Sequence, residues 1–452
     1  MLTYELKKSP GVPLYEALYR CIRTDILSGR LAPGTKLPSK RALAQNLEVS
    51  KITVEGAYDQ LLAEGYIRSR EKVGYFVEEI DRLPPAPVPV VREMPGEDAA
   101  VDLTGSGTEH FPFSVWSRLQ REVMLDYGQQ LLLPLPNRGI PELRQAIAQH
   151  LAAFRGMHVD PENILIGAGT DFLYNLLIQL LGREKTYAVE EPGYGKIRRV
   201  YAAAGVNCVS APMDEKGVMP RNLQEADVLH FSPSHHFPSG LVTPVSRRME
   251  LLAWAREGKW IIEDDYDSEF RFDAHPKPAM MSLDAQGRVI YMNTFSKSLA
   301  PSIRISYMVL PPALMEAFQQ RLGFYCCTVP SFEQYTLARF LSRGHFEKHI
   351  NRMRKFYRSR RNIVVSLLET CRFSQKLTIL EQDAGLHFLL KIDTALSDHD
   401  LTARLEQAGI RIQALSEYYH DRTVDTHCLV VNYSGLKEDA LRSALEQLED
   451  IM

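Results

Sequence analysis

The sequence predicts two folded units in one chain: a small α+β unit of three helices and a hairpin, then a larger α/β unit on a largely parallel sheet. Three observations carry that prediction. Capped segments with helical spacing fill residues 14–65, a proline-rich stretch occupies 81–100, and short apolar strands then alternate with helical segments. At 452 residues the chain exceeds what one hydrophobic core organises.

Composition narrows the class before any motif is read. A hydrophobic share of 45% and a charged share of 24% are those of an ordinary globular protein. No run approaches the ~18–20 apolar residues of a membrane span, and residues 1–20 lack the apolar centre of a signal peptide. The six cysteines (Cys21, Cys208, Cys326, Cys327, Cys371, Cys428) show neither CxxC nor any metal spacing, as expected of buried thiols in a reducing compartment. The expectation is a cytoplasmic protein without a metal. Residues 1–80 carry 12 Lys+Arg against 10 Asp+Glu, too small an excess to argue for nucleic acid. Pattern has to supply that argument.

In the first unit, Leu14, Leu18, Ile22 and Ile26 recur at helical spacing and the run stops at Gly29. Residues 31–37, LAPGTKL, form a Pro-Gly turn. Ser39 is placed to cap a short helix and Ser50 the next, which ends at Gly65 and turns Val54, Ala57 and Leu61 inward. Tyr66, Ile67 and 74–77 then read as a hairpin. Helix, helix–turn–helix and hairpin make a winged helix-turn-helix. That motif brings the start of its second helix to base edges, which here means Ser50, Lys51 and Thr53, with Arg41 on the preceding helix and Lys72 in the hairpin as further DNA contacts.

The strings GRLAPGTKLPSKRALA and AYDQLLAEGYI resemble the GntR-type winged helix across nearly the whole unit. Three positions depart from it. Glu48 stands where the family often has glycine in the turn, a cost of about 1 kcal/mol if left-handed. Lys51 replaces the usual arginine, which removes bidentate guanine recognition. The wing reads REKVGYFV, poorer in glycine than usual.

Residues 81–100 hold five prolines without helical or strand period and read as an extended linker between a 1–80 domain and a 101–452 domain. In the latter, strands are expected at 163–169, 186–191, 226–232, 259–265, 289–295 and 304–310, with helices between them. A smaller, helix-rich and then mixed lobe starts at about residue 335.

Lys297 lies in NTFSKSLAPSIRISY, directly after an apolar strand, where open α/β sheets place ligands. Arg304 follows seven residues later, and Thr294 and Ser296 add hydroxyls. The segment is similar to the SxxK…R motif of type I aminotransferases, and EDDYDSEFRF matches that family's segment almost letter for letter. The resemblance implies pyridoxal 5′-phosphate held as a Schiff base on Lys297. It implies a carboxylate for the pyridine nitrogen at Asp264, chosen over Asp265 because the family's aspartate precedes the tyrosine by two, and a phenol for the ring oxygen at Tyr266. Arg304, Thr294 and Ser296 would clamp the phosphate, and the strand–helix turn Gly169-Thr170-Asp171 would cradle it. Tyr194 in VEEPGYGK would stack on the ring. GHFEKHINRMRKFYRSRR (344–361) and AGLHFLL (384–390) resemble segments of MocR/GabR-type transcriptional regulators, which join the two units in this order. The expected fold class is therefore a winged helix-turn-helix plus an α/β, type I aminotransferase-like fold with a large parallel-sheet domain and a smaller C-terminal lobe.

Other positions depart from the enzymes. Ser306 replaces a glycine after the arginine. Phe237 occupies the place of the asparagine that touches the ring oxygen; His236 beside it either replaces that donor or is a loop histidine. Val430 and Asn432 align with the arginine and glycine of the strand that binds the substrate carboxylate. Either the effector is not an ordinary α-amino acid or its acid is held differently, with Lys196 and Arg411 as candidate cations. The expected function is a regulator that binds operator DNA, not an enzyme, with a residual transaminase half-reaction left open; the resemblance implies a homodimer with each winged helix packed on the partner's large domain. It senses an amine or amino-acid-like effector through an aldimine at Lys297.

Overall fold

The computed structural model describes all residues except 1, 5, 7–12, 80–100, 105–106, 108–109, 257, 271–276, 381–384, 422–423, 437 and 452. The expected linker at 81–100, the end of EDDYDSEFRF and Ala384 lie outside the described residues. The chain divides into two compact units, Met1–Gly96 and Glu97–Met452.

In the first unit, α1 (Leu14–Leu27), α2 (Lys40–Asn46) and α3 (Lys51–Ala63) surround one core of Leu18, Ile22, Ile26, Leu43, Val54, Ala57, Tyr58 and Leu61. Ser39 accepts from Ala42 N at 3.1 Å and Ser50 from Thr53 N at 3.1 Å, so both helices start where free N–H groups find a side-chain oxygen. Gly29 (φ 82°) and Gly65 (φ 76°) end helices in the left-handed conformation. β1 (Ile67–Arg70) and β2 (Gly74–Val77) pair antiparallel and close the core with Ile67 and Val77. Residues 34–37, expected only as a turn, also join the hairpin: Leu37 N donates to Tyr75 O and Val77 N to Thr35 O.

The second unit begins with β3 (Val101–Asp102) and then builds an eight-stranded sheet. Its strands are β4 (Ile164–Gly167), β5 (Thr186–Glu191), β6 (Asn207–Asp214), β7 (Gly217–Val218), β8 (Val228–Phe231), β9 (Trp260–Asp264), β10 (Val289–Thr294) and β11 (Ser306–Val309), in the order 4-11-10-9-8-5-6-7. The central strands β10, β9, β8, β5 and β6 are parallel, whereas β11 runs antiparallel to both β10 and β4. Every residue of β4, β8, β10 and β11 is buried, because helices cover both faces. A four-stranded antiparallel sheet of β12 (Leu377–Leu380), β13 (His387–Ile392), β15 (Gln413–Ala414) and β16 (Cys428–Asn432) forms the smaller lobe with the long helix His345–Thr370. β14 (Ile410–Arg411) pairs with β3, so the start of the unit also belongs to this lobe. Among the described residues, no helix is long and apolar enough to cross a membrane.

Candidate cofactor site and DNA-reading face

The carboxyl ends of β5, β8, β9 and β10 open into a cavity of about 300 Å³. Thr170, Asp171, Tyr194, Asp264, Tyr266, Thr294, Ser296, Lys297 and Arg304 all line it. Strand alternation explains why one acid of the Glu263-Asp264-Asp265 run faces the cavity and its neighbours do not. Asp265 accepts from Tyr291 Oη at 2.6 Å and pairs with Arg155 at 3.1 Å. Glu263 accepts from Met280 N and Met281 N. Asp264 Oδ2 accepts from Tyr174 Oη at 2.6 Å and has His230 Nε2 at 3.5 Å, while its buried Oδ1 has no hydrogen-bond partner among the described residues.

Lys297 sits in the helical turn Phe295–Ser298, whose first N–H groups are organised by Thr294: Ser296 N donates to Thr294 Oγ1 at 3.1 Å. Lys297 keeps an open surface toward the cavity while protein crowds the rest of the side chain, and this burial lowers its ammonium pKa against the pull of Asp267. Ser306, fully buried, donates to Thr294 Oγ1 at 2.8 Å. The serine that replaces a glycine thus fixes the hydroxyl that caps the lysine turn. Buried Ser296 Oγ, like Asp264 Oδ1, has no hydrogen-bond partner among the described residues.

At the opposite end, the helix Thr170–Leu181 points its N-terminus at the cavity behind Gly169 (φ 89°). A Cβ at Gly169 would lie 2.1 Å from Arg304 Nη2, so the guanidinium packs where only glycine leaves room. Asp171 Oδ2 is shared by Lys196 Nζ at 2.8 Å and Arg304 Nη2 at 3.1 Å. Partial burial opposes ionisation of Asp171, but the Lys196 bond and both cations outweigh it and hold its carboxyl below the usual range.

Two expected participants are placed elsewhere. His236 is fully buried behind the wall, with Nδ1 2.6 Å from Ser239 Oγ and Nε2 3.6 Å from Glu190 Oε2. The turn 236–241 directs it inward, since His236 N donates to Leu241 O and Gly240 N to His236 O, and Phe237 lines the cavity instead. Burial holds His236 neutral, with its pKa lowered to about 3. Arg411 lies on β14 near Asp102, away from the residues that line the cavity.

On the first unit, Arg41, Ser50, Lys51 and Lys72 are exposed and Thr53 is half-buried. Ser50 and Thr53 also bond to each other, Oγ to Oγ1, at 2.8 Å. Glu48 (φ 54°) and Lys72 (φ 59°) both adopt the left-handed conformation that their turns require.

Comparison with known proteins agrees with both halves. Residues 14–77 match Bacterial regulatory proteins, gntR family, and residues 103–448 match Aminotransferase class I and II. The HTH-type transcriptional regulator YdeL of Bacillus subtilis is 36% identical over 99% of this chain and 98% of its own. The probable rhizopine catabolism regulatory protein MocR of Rhizobium meliloti is 34% identical over 98% and 94%. The chain belongs to the MocR-type regulators. The pyridoxine biosynthesis regulator PdxR of Corynebacterium glutamicum is 32% identical over 95% of this chain and 94% of its own. Among solved structures, Pyrococcus horikoshii kynurenine aminotransferase superposes with a TM-score of 0.69 at 24% identity, covering 77% of this chain and 90% of that one, a likeness of fold.

The cofactor of this MocR-type chain is pyridoxal phosphate, and the cavity fits it. Among the described residues, a buried carboxylate oxygen and a buried hydroxyl stand without hydrogen-bond partners in the lining, and a helix N-terminus flanked by Lys196 and Arg304 also faces the cavity. Sequence reading missed Tyr174, His230, Glu190 and Arg198, which also line the cavity. One signal could have found Tyr174, which is four residues after Thr170 on the same helix face. The aligned carboxylate position, Val430, is buried with Leu389, Leu415 and Cys428 under Phe237.

Proposed function

We propose that the second unit is a sensor: Lys297 carries the cofactor through its amine, and an amine-bearing effector competes for that place and alters the fit of a dimer on operator DNA. The observation that carries this reading is Asp264 Oδ1, buried and without a hydrogen-bond partner among the described residues, in the cavity that Lys297 also lines. Pyridoxal phosphate supplies an aldehyde that condenses reversibly with amines. Asp264, held by Tyr174 at 2.6 Å, is the anion for its ring nitrogen. Tyr266 is the donor to its ring oxygen, Tyr194 its stacking partner, and Thr170, Ser296 and Arg304 its phosphate ligands. Burial of Lys297 favours the neutral amine that attacks an aldehyde.

The effector is recognised by its amine and by a wall containing Phe237, with no arginine at Val430 to clamp an α-carboxylate. Arg41, Ser50, Lys51, Thr53 and Lys72 meet the operator. Two copies of the winged helix require two half-sites. The test is the near-visible spectrum of the purified protein titrated with amines and amino acids while operator binding is followed. A cofactor band that moves to a stable new position as DNA affinity changes supports sensing. Decay to a pyridoxamine spectrum with turnover makes it an aminotransferase instead.

A further inference from the structure

The helix α3 carries its core stripe on Val54, Ala57, Tyr58 and Leu61. At about 100° per residue, Ile52 points almost directly opposite that stripe. It is 78% exposed, the most exposed of the large apolar side chains among the described residues of this unit. An aliphatic side chain so placed does nothing for the core. Its neighbours restrict what can cover it. Lys51 and Arg41 bring positive charge to the start of the helix, whereas Glu55 and Asp59, further along the same outer side, are tied to Lys40 at 3.0 and 3.1 Å. Lys40 offsets only one of these two acids, so phosphates are attracted at the first turn and disfavoured beyond it.

We infer that Ile52 is a specificity-determining residue that packs on the 5-methyl group of a thymine in the major groove. The inference rests on the DNA-binding reading of the first unit. In that groove the methyl is the one apolar feature on a base edge, and aliphatic side chains discriminate by contacting it. Lys51 and the Ser50–Thr53 hydroxyl pair flank Ile52 and position the helix through polar contacts. Ile52 fixes an A·T pair at the base step it covers.

The test uses the full-length protein and sequences it selects from a random duplex pool. Each thymine of a selected half-site is replaced in turn by deoxyuridine, which lacks only the methyl. One position should cost roughly three- to fivefold in affinity per half-site, the worth of one buried methyl. Ile52→Ala should bind the thymine duplex about as weakly as the wild type binds the uracil one, and should be indifferent to the substitution. Uracil replacements that are all neutral for the wild type, or equally costly for Ile52→Ala, would overturn the assignment. A pool that yields no preferred sequence would remove the DNA-reading premise itself, a different and recognisable failure.

Discussion

Replacing Asp171 with asparagine removes the anion that pairs with Lys196 and Arg304 at the helix N-terminus. Its Oδ2 engages Lys196 at 2.8 Å and Arg304 at 3.1 Å, and the three side chains are 34, 42 and 45% exposed. Ion pairs this exposed contribute at most about 1 kcal/mol each. A phosphate that binds there must draw Arg304 and Lys196 away from the carboxylate and tolerate its charge. Asparagine relieves both costs while keeping the backbone carbonyl that accepts from Asn175. After solvent screening the gain is about 1 kcal/mol, or about fivefold in the dissociation constant for pyridoxal phosphate. The assay is titration of cofactor-stripped protein, followed by near-visible absorbance, with pyridoxal as the control that lacks a phosphate. Pyridoxal phosphate should tighten and pyridoxal should not. Unchanged or weaker affinity for pyridoxal phosphate would refute the view that Asp171 competes for these cations.

Three further outcomes are expected. Lys297→Ala keeps the fold and operator binding but loses the effector response; a response of normal size in gel-shift titrations with effector would sink the proposed exchange. Replacing Arg41 and Lys51 together weakens operator binding and makes the salt dependence shallower by roughly 2 per half-site, with the cofactor spectrum unaltered; undiminished binding contradicts the docking. Burial, reinforced by Asp265 and Asp267, raises the Glu269 carboxyl to about 8, above its unfolded value. Its contribution to stability is therefore full in acid and is lost as pH rises toward 8. Glu269→Gln should match the wild type most closely below about pH 4.5, the ordinary value, and be more stable near pH 9, read from urea midpoints. An equal difference at both pH values would rule this out.

The two-unit plan was legible because each cue has a local cause. Ser39 and Ser50 cap, Gly29 and Gly65 terminate, and the apolar strands at 164–167 and 289–294 mark a sheet covered on both faces. What sequence could not supply is long-range. The pairing of β3 with β14 joins residues some three hundred apart, and the antiparallel course of β11 is set by its two neighbours rather than by its own residues. The same limit applies in the cavity. Family spacing points to Asp264, and strand alternation is the physical reason that it, and not Glu263 or Asp265, lines the cavity. The sequence leaves His236 open between two roles, and a turn closed by backbone bonds decides its direction. Lys196, weighed as a carboxylate cation, is committed to Asp171 across 25 residues of chain.

The two ends of the cavity follow different chemistry, and that difference bears on sensing. The phosphate end carries Arg304, Lys196 and a helix N-terminus, interactions that stay the same whichever amine occupies the other end. Such contacts fix cofactor affinity but cannot report the effector, because a ligand shifts an equilibrium only through contacts that differ between its two states. On the sensing reading, discrimination therefore falls to the rest of the lining, where Phe237 packs edge-on against Tyr194 at 5.8 Å and Tyr418 at 5.2 Å, and where Arg198 is already engaged by Ser210 at 2.7 Å and Asp421 at 2.9 Å. An aromatic wall of this kind distinguishes ligands by shape, which is worth roughly 10- to 200-fold per methylene-sized difference, far less than a bidentate arginine clamp supplies. On the sensing reading the response is graded, within the roughly 1–3 kcal/mol usual for coupled sites. Effectors that differ by one methylene should then form a ranked series, with no single amine acting alone.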